Sequence, residues 1–390
     1  MPIVNRIAEF HAEMKAWRHK IHAAPETAFE ERETSDFVAA KLAEFGIAVH
    51  RGLAGTGVVG TLDGARGPGP AIGLRADMDA LHIHEANEFA HRSHNEGRMH
   101  ACGHDGHTTM LLGAAKYLAE TRNFAGTVRF IFQPAEENEG GGRVMIEDGL
   151  FDKFPVEAVY GMHNIPGIPA GEMSLRTGPV MAAFDIFEIV LQGRGAHAAT
   201  PHLGADPVVA AASLVTQLQT IASRVIDPMQ SCVVTVTQIH GGSTWNVIPE
   251  EVTLRGTARW FRDKVGDTIE ASITRMADGI AAAHGMTATT RYERRYPPTV
   301  NEETETEVCA AVARDLVGTD KVIERTPMMG AEDFAFMLQK KPGCYAWLGN
   351  GPSDNGRLLH NPRYDFNDDI LPVGASYWAR LAETRLKPRG

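Results

Sequence analysis

A dense group of side chains that bind transition metals lies in residues 99–107, MHACGHDGH. In an extended segment, residues two apart share a face, so Cys102 and His104 would point a thiolate and an imidazole into one site. His100 would share that face. Any one of these histidines alone is better interpreted as an incidental loop residue, but four potential ligands within eight residues favour a metal site.

A second cluster, QPAEENEG at residues 133–140, follows the apolar strand pattern of residues 127–132. In open α/β sheets, ligand sites gather at the carboxyl ends of the strands. An acidic loop is usually only solvated. After a buried strand, however, one of two adjacent carboxylates can bind metal while its neighbour serves as a general base. His163 ends a similar apolar run, and taken alone it would be interpreted as structural.

These clusters must be positioned by regular elements, and the first half of the chain alternates β-rich runs with helical patterns. This alternation predicts an α/β domain whose mixed sheet is covered by helices. After Gly178 a β-α-β-β-α-β order follows, which is typical of a ferredoxin-like α+β unit. We therefore expect a catalytic domain over residues 1–181 and 295–390, with an inserted domain over residues 182–294.

Seven segments, in order along nearly the whole chain, resemble the M20 metallopeptidase family. The similarity is to its amidohydrolase branch, which includes hippurate hydrolases, N-acyl amino acid amidohydrolases and auxin-conjugate hydrolases. The segments are residues 75–81 (RADMDAL), 99–107, 133–140, 161–164 (GMHN), 195–202 (GAHAATPH), 246–249 (NVIP) and 360–366 (HNPRYDF).

The resemblance implies a centre of two divalent metal ions, with zinc favoured and manganese, nickel or cobalt as alternatives. Its ligands would be Cys102, His104, Glu137, His163 and His360, with the Cys102 thiolate bridging. Glu136 would be the general base. Metal ions would supply an acidified water and polarise the amide carbonyl, which agrees with the chemistry that the two clusters indicate.

The resemblance also assigns roles to the inserted domain, as a lid and dimerisation domain. His197 would stabilise the oxyanion, often across a dimer interface, while Asn246 and Arg259 would hold polar groups of the substrate. A guanidinium can grip a carboxylate with two parallel hydrogen bonds, which supports the role of Arg259. We expect a homodimer or homotetramer formed through this domain.

The expected activity is hydrolysis of the amide bond of small N-acyl amino acids. The alternatives are a carboxypeptidase or dipeptidase, an amide-toxin hydrolase, a thiol hydrolase using Cys102, and a non-catalytic metal-binding protein. A thiol hydrolase would leave Glu137, His163 and His360 unexplained, and metal storage has no need of Glu136. The GTGVVG run at residues 55–60 matches a dinucleotide-binding pattern, but it lies within a predicted strand, so the context is wrong.

Composition excludes some partners. A net charge of −11 argues against broad binding of nucleic acid. The most apolar stretch, residues 208–215, is far shorter than the about 20 residues that span a bilayer, and residues 1–22 predict an amphipathic helix without a signal-type apolar run. Four scattered cysteines fit a reducing cytoplasm.

The histidine-rich stretch, residues 82–94, departs from the family pattern. For this stretch, a solvated loop is favoured over a weak metal site.

Overall fold

The computed structural model describes residues 4–137, 139–354 and 357–388. The strands are β1 Ala48–Leu53, β2 Gly57–Asp63, β3 Ala71–Asp77, β4 Thr127–Gln133, β5 Ala158–Pro166, β6 Met173–Ser174, β7 Gly178–Met181, β8 Phe184–Gln192, β9 Ala196–His197, β10 Cys232–Gly241, β11 Val247–Ile248, β12 Glu251–Trp260, β13 Thr287–Tyr296, β14 Thr299–Asn301, β15 Val322–Ile323 and β16 Gly343–Gly351. The helices are α1 Asn5–Glu9, α2 His11–Ala23, α3 Arg32–Glu44, α4 His104–Thr121, α5 Gly141–Glu147, α6 Leu150–Lys153, α7 Pro207–Leu218, α8 Asp263–Ala283, α9 Glu303–Val317, α10 Phe334–Leu338 and α11 Leu371–Arg385.

The chain forms two compact units. The larger comprises the described residues of 1–180, 300–326 and 333–390, and the smaller comprises residues 181–299 and 327–332. The smaller unit thus extends beyond the expected insertion of residues 182–294, and it also contains Met181, residues 295–299 and residues 327–332. One reason is that β13 continues to pair with β8 as far as Tyr296, opposite Phe184.

The larger unit is built on an eight-stranded mixed sheet in the order β1-β2-β4-β3-β5-β16-β6-β15. Strands β4, β3, β5 and β16 are parallel neighbours. Their carboxyl ends consequently meet at one edge of the sheet, where ligand sites gather in such folds. Strands β5 and β16 are buried at every position, as expected for parallel strands with both faces covered. The predicted α/β architecture is confirmed.

Helix α4 starts at His104, directly after Gly103 in a left-handed conformation with φ of 95°. The prediction of an extended segment through Cys102 and His104 is therefore wrong. The two side chains are brought together by a sharp turn into a helix, a turn that glycine makes at no steric cost.

The N-terminal prediction is partly changed as well. Residues 1–3 of the expected helix lie outside the described residues. The remainder forms α1 and α2, which are separated at Phe10. Phe10, Met14 and Trp17 are buried in the core of the larger unit, so this segment covers the catalytic unit with an apolar face, as its amphipathic pattern predicts.

The smaller unit has a four-stranded antiparallel sheet in the order β10-β12-β8-β13. Helices α7 and α8 share one hydrophobic core with this sheet. Alternating burial along β8 and β12 reflects a sheet with one covered face. The order confirms the predicted ferredoxin-like unit.

By length and composition alone, the helical stretch at residues 207–225 would be able to cross a membrane. This is weak support for a membrane span, since the core helix of a soluble protein passes the same test. The regular α-helix covers only Pro207–Leu218, about 18 Å at 1.5 Å per residue. Its Ala210, Leu214 and Leu218 are buried in the core of the smaller unit.

Candidate functional site

Cys102, His104 and His163 meet at the carboxyl edge of the large sheet. Their ligand atoms all lie within 4.8 Å of one another, and the Sγ atom of Cys102 is 3.3 Å from Nε2 of His163. His163 lies on the buried strand β5, and His104 opens α4. A strand and a helix N-terminus therefore each contribute one imidazole, while Cys102 lies in the bend just before α4.

The same cysteine also belongs to a second group, with Glu137 and His360. The three ligand atoms again lie within 4.8 Å of one another, and Nε2 of His360 is 3.1 Å from Oε1 of Glu137. The backbone N–H of His360 donates to the carbonyl of Ala101 at 2.8 Å, which explains how a residue so late in the sequence reaches the cysteine motif. Two donor groups therefore share the Cys102 sulfur.

The His104 ring is oriented by Asp79, which follows β3. Its Nδ1 atom lies 2.8 Å from the backbone oxygen of Asp79 and 3.2 Å from Oδ1. Its buried Nε2 atom has no hydrogen-bond partner among the described residues. A ring whose Nδ1 proton is held by an oxygen presents the lone pair of Nε2, as metal-ligating histidines do.

The protein's own charges make this site receptive to cations. Burial opposes charge on His104, but the carboxylates of Asp77 and Asp79 outweigh it and raise the pKa of His104 to about 10. Burial and the Glu137 carboxylate raise the pKa of the Cys102 thiol well above its ordinary value. A Cys102 thiolate therefore needs an added positive charge, and a divalent cation is the usual source of one. A free nucleophilic thiol would need the opposite shift.

Glu136 and Glu137 follow β4, as the sequence predicts. A carboxylate oxygen of each lies within 4.8 Å of the other and of a ring nitrogen of His104. Glu136 is largely buried, at 7% exposure, and the backbone N–H of Glu137 donates to Oδ2 of Asp79 at 2.9 Å. The acidic loop is therefore tied to the donor cluster and is not merely solvated. Asn138 lies outside the described residues.

A layer of buried polar residues that the local sequence patterns did not predict lies beneath the donors. Asp77 lies 2.6 Å from Nδ1 of His107 and accepts from Nη1 of Arg75 at 2.7 Å. Oδ1 of Asn164, next to His163, lies 2.8 Å from Nε2 of His107. Burial opposes ionisation of Asp77, but His104, His107 and Arg75 outweigh it and hold its pKa well below the usual range. The signal was available: Asp77 ends a buried strand and Asp79 follows it, much as Glu136 and Glu137 follow β4.

Two histidines, His100 and His91, differ from what the sequence leads us to expect. His100 does not share a ligand group with Cys102 among the described residues; its buried ring nitrogens have no hydrogen-bond partner there, and burial lowers its pKa to about 4. In the histidine-rich stretch, His82, His84 and His94 are exposed, in line with a solvated loop. His91 instead stacks between His19 and Phe89.

The residues predicted to bind substrate lie in the smaller unit. His197 pairs with Val247 across the short β9–β11 sheet, and the N–H of Ala198 donates to the carbonyl of Asn246 at 3.0 Å. His197 and Asn246 are therefore close neighbours along two paired segments. Arg259, on β12, stacks its guanidinium 4.2 Å from the ring centroid of Phe184.

An α/β protein with this donor cluster belongs to the class of metal-dependent hydrolases, and comparison with known proteins identifies the family. Residues 73–384 match the model of Peptidase family M20/M25/M40. The chain therefore belongs to this family, and it is a metal-dependent amidohydrolase.

The relatives extend over nearly the whole chain. The hippurate hydrolase of Campylobacter jejuni is 40% identical to this chain, and the alignment covers 99% of this chain and 100% of the relative. The IAA-amino acid hydrolase ILR1-like 2 of Arabidopsis thaliana is 42% identical, and the alignment covers 95% of this chain and 85% of the relative. The crystal structure of Bacillus subtilis YXEP protein, a dinuclear metal-binding peptidase from the M20 family, superposes with a TM-score of 0.86 at 34% identity, covering 97% and 99%. This likeness and the donor cluster both support two divalent metals.

Proposed function

We propose that this enzyme hydrolyses the amide bond of N-acyl amino acids and releases a carboxylic acid and a free amino acid. The observation that carries the proposal is the double donor group sharing Cys102, with a carboxylate of Glu136 beside it. Relatives that act on hippurate, which is N-benzoylglycine, and on IAA-amino acid conjugates support this substrate class.

The donor set fits two metal ions. Cys102, His104 and His163 would hold one ion and Cys102, Glu137 and His360 the other, with the thiolate shared. Nε2 of His104, which has no hydrogen-bond partner among the described residues, is the kind of buried nitrogen that a metal would satisfy. When bound, the ions supply an acidified water near neutral pH and polarise the substrate carbonyl.

Glu136 is the proposed proton carrier. A general base must reach the proton that it takes, and Glu136 lies beside both His104 and Glu137. Its carboxylate takes the proton of the attacking water and then delivers it to the nitrogen of the departing amine. The amide bond breaks as that nitrogen becomes a neutral leaving group.

His197, Asn246 and Arg259 are proposed to bind the substrate. His197 donates to the oxyanion of the tetrahedral intermediate, and Asn246 and Arg259 hold the polar groups of the amino acid. Arg259 suits its carboxylate because the guanidinium presents two parallel N–H groups. The Phe184 ring beneath Arg259 fixes the plane of the guanidinium, which reduces the entropy lost when a carboxylate binds.

Metal identity, oligomeric state and location are finer predictions. Zinc is favoured because thiolate and imidazole donors suit it, with manganese, nickel or cobalt as alternatives. A homodimer or homotetramer through the smaller unit is supported by its exposed apolar side chains, among them Val209 at 52%, Ile239 at 56% and Trp245. The cytoplasmic location stays a prediction.

The test is a panel of N-acetyl and N-benzoyl amino acids together with dipeptides, with amine release measured before and after removal of metal by a chelator. We expect turnover of N-acyl amino acids that is lost with the chelator and restored by added zinc. Turnover that ignores the chelator would favour a thiol hydrolase. Turnover of dipeptides alone would favour a dipeptidase, and no turnover by metal-loaded protein would favour a metal-binding protein.

A further inference from the structure

Glu31 is a fully buried carboxylate whose side chain turns away from the helix it precedes. It occupies the N-cap position of α3 but makes no side-chain capping bond there. Its Oε1 atom instead accepts the backbone N–H of Ala135 at 2.9 Å and that of Phe29 at 3.0 Å. Its Oε2 atom accepts the hydroxyl of Thr56 at 2.7 Å.

Ala135, the residue before Glu136, has a left-handed backbone with φ of 54°. For a residue with a Cβ atom, such a conformation is sterically unfavourable and persists only when neighbours hold it. The buried N–H of Ala135 is held by Glu31, and its carbonyl accepts the N–H of Gly141 at 2.9 Å. This turn directs the chain from the end of β4 into Glu136.

The proposed base is therefore flanked by two held amides. On one side Glu31 accepts the N–H of Ala135, and on the other Asp79 accepts the N–H of Glu137. Asp79 also orients His104, so that one anchor is shared with the donor cluster. The second anchor, Glu31, comes from a distant part of the chain and contacts none of the five donors in the described hydrogen-bond network.

We propose that Glu31 is a positioning residue that aims Glu136 by holding the left-handed turn at Ala135. The inference rests on the proposed function, since it assigns Glu31 a part in placing the base of that reaction. The described hydrogen bonds of Glu31 go to Phe29, Thr56 and Ala135, and it acts through the backbone of Ala135.

The cost of burying Glu31 supports a selected role. Burial and the nearby Asp79 carboxylate raise the pKa of Glu31 to about 7. A buried acid next to another acid is expensive for stability, and such arrangements cluster where function requires them. A neutral residue would cap or fill this position at lower cost.

The experiment compares Glu31→Ala with Glu31→Gln and Thr56→Val in the metal-loaded enzyme. Thr56→Val is the matched control, because it removes the bond to the other carboxylate oxygen and leaves Ala135 held. We expect Glu31→Ala to lower kcat by roughly 10- to 100-fold, with KM changed little, because small misplacements of a catalytic group have costs of this size. Metal content should stay at the wild-type value. Glu31→Gln, whose amide oxygen still accepts N–H groups, should keep most of kcat, as should Thr56→Val.

A double variant, Glu31→Ala with Ala135→Gly, tests the turn itself. Because glycine adopts positive φ at no steric cost, the added Ala135→Gly change should recover part of the kcat that Glu31→Ala loses. Should Glu31→Ala not fold, Glu31→Asp replaces it, since the side chain is one methylene shorter and cannot reach Ala135 in the same way. A kcat loss no larger than that of Thr56→Val would overturn the proposal.

A measurement without substrate separates this proposal from the proposed function. Amide-resolved hydrogen exchange should show that the Glu137 amide, which donates to Asp79, exchanges faster in Glu31→Ala than in wild type and Thr56→Val. If wild type hydrolyses no amide, the proposed function fails, while this exchange comparison still decides whether Glu31 holds the loop. Unchanged exchange at Glu137 would refute the positioning role.

Discussion

The Sγ atom of Cys102 lies 3.3 Å from Nε2 of His163, and the same sulfur lies within 4.8 Å of ligand atoms of Glu137 and His360. One thiol therefore connects a buried group of donors with a more open one, in which His360 is half exposed. A single sulfur between two donor groups is the arrangement that a shared thiolate ligand requires. In the proposed two-metal centre, occupancy of both groups would depend on Cys102.

We predict that Cys102→Ser lowers the affinity for both metal ions. A serine hydroxyl is a harder and far less acidic donor than a thiol, so the loss should be at least the about 10- to 100-fold cost of removing an outer-shell partner. Metal content after exhaustive desalting, measured by mass spectrometry, should fall below two ions per chain. Cys232→Ser, at a half-buried thiol in the smaller unit, is the control. Two ions retained by Cys102→Ser would rule out the shared-ligand assignment.

Glu136→Gln should abolish most turnover while metal content stays intact. The amide keeps the shape of the side chain but takes no proton, and loss of a general base lowers kcat by roughly 10²- to 10⁴-fold. The control is Glu139→Gln, an exposed residue of the same acidic loop, which should hydrolyse substrate at the wild-type rate. Near-normal kcat in Glu136→Gln would show that another group carries the proton.

Local sequence patterns predicted the donors better than their supports. The clusters at Cys102 and Glu136 are dense in metal-binding and acidic residue types, and both follow or precede strong apolar patterns. His163 and His360 carry no such local signal. Each became a candidate through the resemblance, and contacts between distant segments, such as that between His360 and Ala101, explain their placement.

The residue types of Asp77 and Asp79 were visible in the sequence, but the contacts that make the supports work could not be predicted, for a physical reason. Asp79 reaches the Glu137 amide because β3 and β4 are parallel neighbours, and nothing within either segment specifies that pairing. A glycine can adopt both a left-handed and an extended conformation, so the presence of Gly103 does not by itself specify the turn that begins α4. Glu31 acts across a sequence separation of 104 residues, beyond the reach of any periodicity.

Arg259→Ala should impair substrates according to whether they carry a free carboxylate. A hydrogen-bonded charged pair contributes about 1.5 to 3 kcal/mol, so kcat/KM for an N-acyl amino acid should fall roughly 10- to 100-fold. The matching carboxyl-amidated substrate should change little. Arg255→Ala serves as control, since Arg255 lies on the same strand but forms an ion pair with Glu188. Equal losses on both substrates would count against a carboxylate-binding role for Arg259.

His22 should contribute to a fall in the stability of the metal-free protein between neutral and alkaline pH, in addition to His104, whose pKa is also raised. Burial disfavours charge on His22, but hydrogen bonds to Asp105 and Glu85 outweigh burial and raise the pKa of His22 to about 9. A histidine whose pKa is higher in the folded than in the unfolded chain binds its proton more tightly when folded. Its stabilisation is complete below its ordinary pKa of 6.5 and is lost as pH rises through 9.

The loss of the His22 contribution should reach about 3.5 kcal/mol, because its pKa rises from 6.5 to about 9 and each tenfold change in proton affinity corresponds to about 1.4 kcal/mol. Urea unfolding in chelator from pH 6 to 10 measures it. His22→Gln should unfold more readily at pH 6 but lose less stability on going to pH 10, because it has no proton to release. His94→Gln, at an exposed histidine, should follow the wild-type curve. An undiminished alkaline loss in His22→Gln would assign the whole effect to another titrating group.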